Sequence, residues 1–232
     1  TGSDGNIFMN KTRLITIWFF VAAALMVPTE AVFAGADSEQ SASQEYQIKA
    51  AFLYNFLKFV DWPQGKTSDT NEPIVIGIIG NDPLEDAFKP IEGKTHEDVN
   101  GKTIVIKYFK SFEELMKSGE NSKDNPQKKL EVLGECHLLF ICSSEQKNLS
   151  QILDAVKDSY VLTVGESPEF IGLGGIINFV LEDEKMRFEI NVAAADKAQL
   201  KIRSQLLRLA KKVVDDNSVA KSKPKSSGKV GN

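Results

Sequence analysis

This 232-residue sequence is poor in the side chains that carry out covalent chemistry: it has two cysteines, two histidines and two tryptophans. It contains no GxSxG, HExxH, GxxxxGK[ST] or CxxC pattern. The nucleophile elbow, the zinc-hydrolase helix, the phosphate loop and the dithiol redox pair are therefore missing. Acid–base catalysis needs positioned titratable groups. His96 falls in a polar turn, and His137 opens an apolar run beside Cys136. Neighbours on a strand point to opposite faces, which works against a Cys136–His137 pair. Neither cysteine has histidines at metal-ligand spacing. These shortages point away from an enzyme, a metal centre and a cofactor. A strong charge of one sign is lacking too, since the formal net charge is −4. Lys221, Lys223, Lys225 and Lys229 gather after Asn217, so the body is more acidic than the whole. Nucleic acid needs clustered Lys and Arg and is not the expected partner.

Long apolar runs are also scarce. The one near the start, Leu14 to Val27, follows Met9, Lys11 and Arg13 and ends at Pro28. Val32-Phe33-Ala34 then supplies small residues where a signal peptidase reads. The pattern is that of a secretory signal cleaved after Ala34. The run is shorter than the ~20 residues a membrane span requires. No cysteine follows it to carry a lipid. The organisation expected is residues 1–34 as upstream sequence plus signal peptide, 35–43 as a polar leader, 44–215 as one domain, and 216–232 as a disordered Lys/Ser-rich tail.

The two cysteines bound the run CHLLFIC, Cys136 to Cys142. On a strand rising ~3.3 Å per residue they stand about 20 Å apart, beyond the ~7 Å a disulfide spans. Two buried free thiols are expected.

Within the domain, apolar spacing predicts a first helix over Gln44 to Val60, with Ile48, Phe52, Phe56 and Phe59 on one stripe. Asp61-Trp62-Pro63 ends it. Strands are predicted at Ile74 to Ile79, Thr103 to Phe109, His137 to Cys142 and Val161 to Val164. Helices are predicted at Asp82 to Phe88, Phe112 to Met116 and Glu145 to Lys157, with a polar loop over Lys117 to Lys129. Three of the four strands are nearly continuous apolar runs, as expected when both faces are covered. The alternation predicts an α/β fold with a mostly parallel sheet and helices on both faces. Ile176 to Leu181 and Met186 to Val192 alternate around the charged turn Glu182 to Lys185 and predict an antiparallel hairpin. Asp196 to Val214 reads as a final amphipathic helix, with Ile202, Leu206, Leu209, Ala210 and Val213 as its buried stripe and lysines opposite.

Three places could bind something. Gly77 to Pro83 is a strand-to-helix turn at the carboxyl end of a strand, with Asn81 as its polar donor and Asp82 disfavouring an anion. Gly172-Leu173-Gly174-Gly175 leads into the hairpin, where Gly174 and Gly175 allow a tight turn or a close approach. On the hairpin, Arg187, Glu189 and Asn191 alternate with packing residues, and Asn178 joins them as a polar row.

The sequence resembles the YfiR family (YfiR/HmsC-like), a domain also attached to some sensor kinases. Three blocks carry the likeness: Tyr46 to Pro63 (YQIKAAFLYNFLKFVDWP), Cys136 to Cys142 after the earlier strand IVIGIIG, and Gly174 to Val213. The resemblance implies a non-enzymatic periplasmic regulator that restrains an inner-membrane diguanylate cyclase by binding its periplasmic region. It implies effects on cyclic di-GMP and biofilm, and an outer-membrane lipoprotein as a second partner. A homodimer fits as well. The chain departs from disulfide-bearing relatives: Gly77 stands where a cysteine would oppose Cys136, and no cysteine lies around Gly174 to Asn178. The competing reading is a periplasmic module that senses a small ligand through one of the two glycine-containing loops.

Overall fold

The computed structural model describes residues 33–66, 72–81, 84–96, 99, 101–117 and 126–215. The signal peptide (apart from its last two residues) and the basic tail lie outside the described residues. The chain divides into two units at Ser43/Gln44, and the strands and cores all belong to the second.

Helix α1 (Phe33–Lys58) leads into β1 (Val60–Asp61) and β2 (Ile74–Ile79). Next come α2 (Glu85–Phe88), β3 (Thr95–His96), β4 (Lys102–Phe109), α3 (Phe112–Lys117) and α4 (Pro126–Gly134). Strand β5 (Leu138–Ile141) precedes a 3-10 turn (Ser143–Asn148), α5 (Leu149–Val156) and β6 (Leu162–Gly165). The hairpin β7 (Ile177–Glu182) and β8 (Lys185–Asn191) leads to α6 (Val192–Lys197), β9 (Lys201–Ile202), α7 (Ser204–Leu207) and β10 (Lys212–Val214).

Eight strands form one sheet in the order β10-β8-β7-β6-β5-β2-β4-β3, and β1 pairs with β9 separately. The β4-β2-β5-β6-β7 run is parallel throughout, as is β10 on β8, whereas the β7–β8 and β3–β4 pairs are antiparallel. The predicted class is thus the one adopted: a mostly parallel sheet between helices, with an antiparallel hairpin. Period-two alternation explains the two cores. Leu138 and Phe140 pack with α1 on one face, whereas Leu139 and Ile141 pack with α5 on the other. Phe52 and Phe56 of α1 meet Phe179 and Phe188 of the hairpin with ring centroids 5.2 to 5.9 Å apart.

Four features differ from the sequence expectation. Helix α1 begins at Phe33 and stops at Lys58, because Val60 and Asp61 pair with Ile202 and Lys201. The polar stretch before Lys129 yields to α4, whose apolar residues Leu130, Val132 and Leu133 pack on the core. The strand expected at His137 to Cys142 is shorter, Leu138–Ile141, leaving His137 and Cys142 just outside it.

The largest correction is the final helix, Asp196 to Val214, which does not form. Gln199 adopts φ 56°, outside the helical region, and its N–H closes the turn on Asp196 O. Ile202 then joins β9 and Val213–Val214 join β10. β-Branched residues fit a pleated strand better than a helix. Leu206 is buried as expected, but Leu209 and Val213 are exposed.

Candidate functional site

The hairpin end of the sheet gathers most of the residues singled out from the sequence. Asn178 stands opposite Glu189, and Val180 opposite Arg187, so these four share a face. Strand β10 adds Lys212 beside Glu189. A helical reading of that segment hides this position. The row is not uniformly a surface: Arg187 is exposed, but Asn178 is only 3 % exposed. The Asn178 Oδ1 atom is buried and has no hydrogen-bond partner among the described residues. Burying an amide without a partner costs about 1–3 kcal/mol.

Asn191 is a structural residue. Its Oδ1 accepts from Ala194 N–H at 3.0 Å and caps α6, while its Nδ2 donates to Ile171 O at 3.2 Å. Gly175 is demanded by packing: a Cβ there would lie 2.1 Å from the Phe170 ring, and one at Gly165 would lie 2.2 Å from it. Phe170 therefore latches the 166–175 loop against the sheet through two glycines. Gly174, at φ +95°, has open space where a Cβ would point.

Asn81 belongs to another place. It follows β2, with β5 and β6 between that strand and the hairpin. Its N–H donates to Ser144 Oγ at 2.9 Å, joining the loops after β2 and β5.

That second place, at the carboxyl ends of the parallel strands, holds a buried charge cluster that the sequence reading missed. Lys49 of α1 is 5 % exposed. Its ammonium meets Glu45 at 2.8 Å and Glu166 at 2.7 Å. Burial alone would lower its pKa, but the hydrogen bonds to Glu166 and Glu45 outweigh that and hold it well above the usual lysine value. The other oxygen of Glu166 accepts from Ser143 N–H at 2.9 Å. The buried Glu145 carboxylate accepts from Phe112 N–H at 3.3 Å and Asn148 Nδ2 at 3.0 Å. One signal was available: Lys49 lies one turn before Leu53, inside the row that is buried.

His137 has a comparable supporting role at the opposite strand ends. Val75 N–H donates to its Nδ1 at 3.1 Å, so the proton is on Nε2, which faces Lys66 O at 3.1 Å. Burial pushes the imidazole pKa down to about 4. Cys136 and Cys142 are both buried and are not joined in a disulfide, and burial pushes Cys136 up to about 11. A Cβ on Gly77 would lie 2.6 Å from Cys136 Sγ, so the two positions are in contact. Among the described residues no group of three or more His, Cys, Asp or Glu could hold a metal ion. No helix among them is long and apolar enough to cross a membrane.

On the opposite face of the hairpin end lies an apolar strip. Leu181 is 68 % exposed and Leu209 64 %. Val213 shares the sheet face of Leu181, through the Ile190–Ile177 register. Lys211 N–H bonds Phe188 O, and the Lys211 ammonium meets Glu182 at 2.8 Å. The Leu209 turn is thereby held beside the hairpin tip.

These elements define an α/β domain in which the parallel strands are covered on both faces and the hairpin end is open. Residues 46–211 match the sequence profile of the YfiR/HmsC-like family. The chain belongs to this family. No curated protein matches it. Among solved structures, it is similar to a conserved domain protein from Vibrio cholerae O1 biovar El Tor, at 10 % identity and TM-score 0.43, over 60 % of this chain and 54 % of that one. It is also similar to an ABC domain in complex with L-Trp from Streptococcus pneumoniae, at 11 % identity and TM-score 0.42, over 61 % and 55 %. The chain thus spans about half the length of these solved proteins.

Proposed function

We propose that this protein is a periplasmic contact regulator. It binds the periplasmic region of an inner-membrane signalling protein of the diguanylate cyclase or sensor-kinase type, and holds it inactive. The output is cyclic di-GMP, and through it biofilm formation. Family membership across residues 46–211 is the observation that carries this reading. The surface supports it: Leu181, Leu209 and Val213 are exposed apolar residues at the hairpin end, beside the Glu182–Lys211 ion pair. Exposed apolar residues ringed by charge are the usual composition of a protein-binding patch. The reading requires export and no catalytic step.

The test is capture of the tagged full-length protein from solubilised membranes, together with cyclic di-GMP measured in a deletion strain. The expected result is recovery of a membrane protein with a cyclase or kinase domain, and raised cyclic di-GMP on deletion. Unchanged cyclic di-GMP with no membrane protein recovered would overturn the reading.

A further inference from the structure

A cavity of about 420 Å³ lies between α5, the 171–174 turn and α6. That volume is in the range of small-molecule sites. Its walls are apolar, with Leu153, Val156, Val161, Ile176 and Val214 among them. The two polar side chains in the floor are already committed. Thr163 Oγ1 accepts from Ile176 N–H at 3.1 Å, and Asn191 caps α6. The site is also rigid. Phe170 locks one end of the turn between Gly165 and Gly175, Asn191 Nδ2 ties Ile171 O, and Gln146 Nε2 donates to Glu169 at 2.9 Å. A ligand would therefore find a preformed wall and lose little free energy in ordering it. Gly172 and Gly174 contribute only backbone to that wall, beside Ile171 and Leu173.

At the rim stand Lys157, just past α5, and Lys197, the last residue of α6. Both are exposed, and neither ammonium has a carboxylate within 4.0 Å among the described residues. Asp154 also lines the cavity and pairs with neither lysine. An apolar pocket with two unpaired cations at its mouth is complementary to an amphipathic anion. We propose that this cavity binds a small carboxylate with an aliphatic or aromatic body. The body fills the space against Leu153, Val161 and Ile176, and the carboxylate meets Lys157 and Lys197. This goes beyond contact regulation and does not depend on it. Because β8 and β10 line the cavity through Asn191 and Val214, and the hairpin and β10 also carry Leu181 and Val213, an occupant would reach the proposed partner surface through shared strands.

The experiment uses the full chain with 3-phenylpropionate and octanoate as probes. Acetate is the headgroup without a body, and 3-phenylpropanol is the body without a charge. Melting temperature and calorimetric Kd are read. The expected result is stabilisation by the two long carboxylates only. Lys157→Gln and Lys197→Gln should each weaken Kd by about fivefold, as for a solvent-facing ion pair. Ala193→Trp should fill the cavity and abolish binding while the unliganded protein still melts cooperatively. Equal stabilisation by the alcohol, or no shift with any probe, would overturn the proposal. So would a Kd unchanged in all three variants.

Discussion

The two ends of the sheet obey different rules. At the parallel centre, β2, β5 and β6 are buried on both faces. Their side chains are fixed by packing on two helical layers, and they leave no face free for a partner. At the hairpin end, α1 covers one face of β7 and β8 only as far as Phe179 and Phe188, and Leu181 beyond them is exposed. The centre therefore holds the fold together while the end offers surface. Substitutions should separate the two: changes at the centre should act on stability, and changes at the end on binding.

The strongest effect is expected at Phe56, which has no exposed surface and touches Phe52, Phe179 and Phe188. Phe56→Ala removes the ring and leaves a cavity, costing about 3–5 kcal/mol. For a domain of this size that lowers the melting temperature by about 10 °C. A loss below ~1 kcal/mol in chemical denaturation would mean that the helix–hairpin aromatic cluster does not join the two ends.

The next effect is a pH dependence located at the centre. His137 is neutral in the fold, with its pKa lowered to about 4 by burial. Unfolded, it returns to the ordinary value of 6.5. Between those values the unfolded chain binds the extra proton, so stability rises with pH across the window and is lost as pH falls through it. The loss amounts to about 3 kcal/mol by pH 4. Urea midpoints measured from pH 7 to pH 4 should show this slope, and His137→Gln should flatten it. An imidazole titrating near 6.5 in the native protein by NMR would refute the assignment.

What could be read from the sequence obeys the same division. The central strands show as unbroken apolar runs, since burial on both faces writes itself into every position. The hairpin shows through alternation, and Phe179, Phe188 and Ile190 pack as that alternation requires. The C-terminal segment misleads for a physical reason. Ile202 and Leu206 are four apart and both buried, which a helix also requires, but a turn at Gln199 and two short strands achieve the same burial. The polar row was half legible. Strand parity groups Asn178, Arg187, Glu189 and Asn191, but parity says nothing of the burial of Asn178 or of the cap that employs Asn191. Lys49 and Glu166 are far apart in sequence, and local pattern contains no term for such a pair.

A smaller effect tests the boundary between the two ends. Gly175→Ala puts a Cβ against Phe170, whose ring already fills the space over Gly165. The ring must move, and overpacking of this kind costs about 1–3 kcal/mol. Because Glu166 on the same loop holds Lys49, backbone amides near Ser143 should exchange faster in the variant, as well as those of the loop itself. Exchange confined to residues 172–176 would show that the latch and the charge cluster are independent.

The smallest effect on stability is expected at Leu181, and there the contrast is sharpest. The side chain is 68 % exposed at the hairpin tip, outside the core. Leu181→Asp should change the unfolding free energy by no more than ~0.5 kcal/mol, because a surface substitution away from caps and packed groups has little to break. The same change places a carboxylate beside Glu182 in the centre of the apolar strip, where a partner would have to desolvate it. Partner recovery in the membrane capture should therefore fall at least tenfold, with the melting curve of the isolated protein unchanged. Arg187→Ala, on the opposite face of the same strand pair, serves as the control and should leave capture intact. Loss of capture with Arg187→Ala but not with Leu181→Asp would move the contact surface to the polar row. Loss of stability with Leu181→Asp would instead make the hairpin tip part of the core.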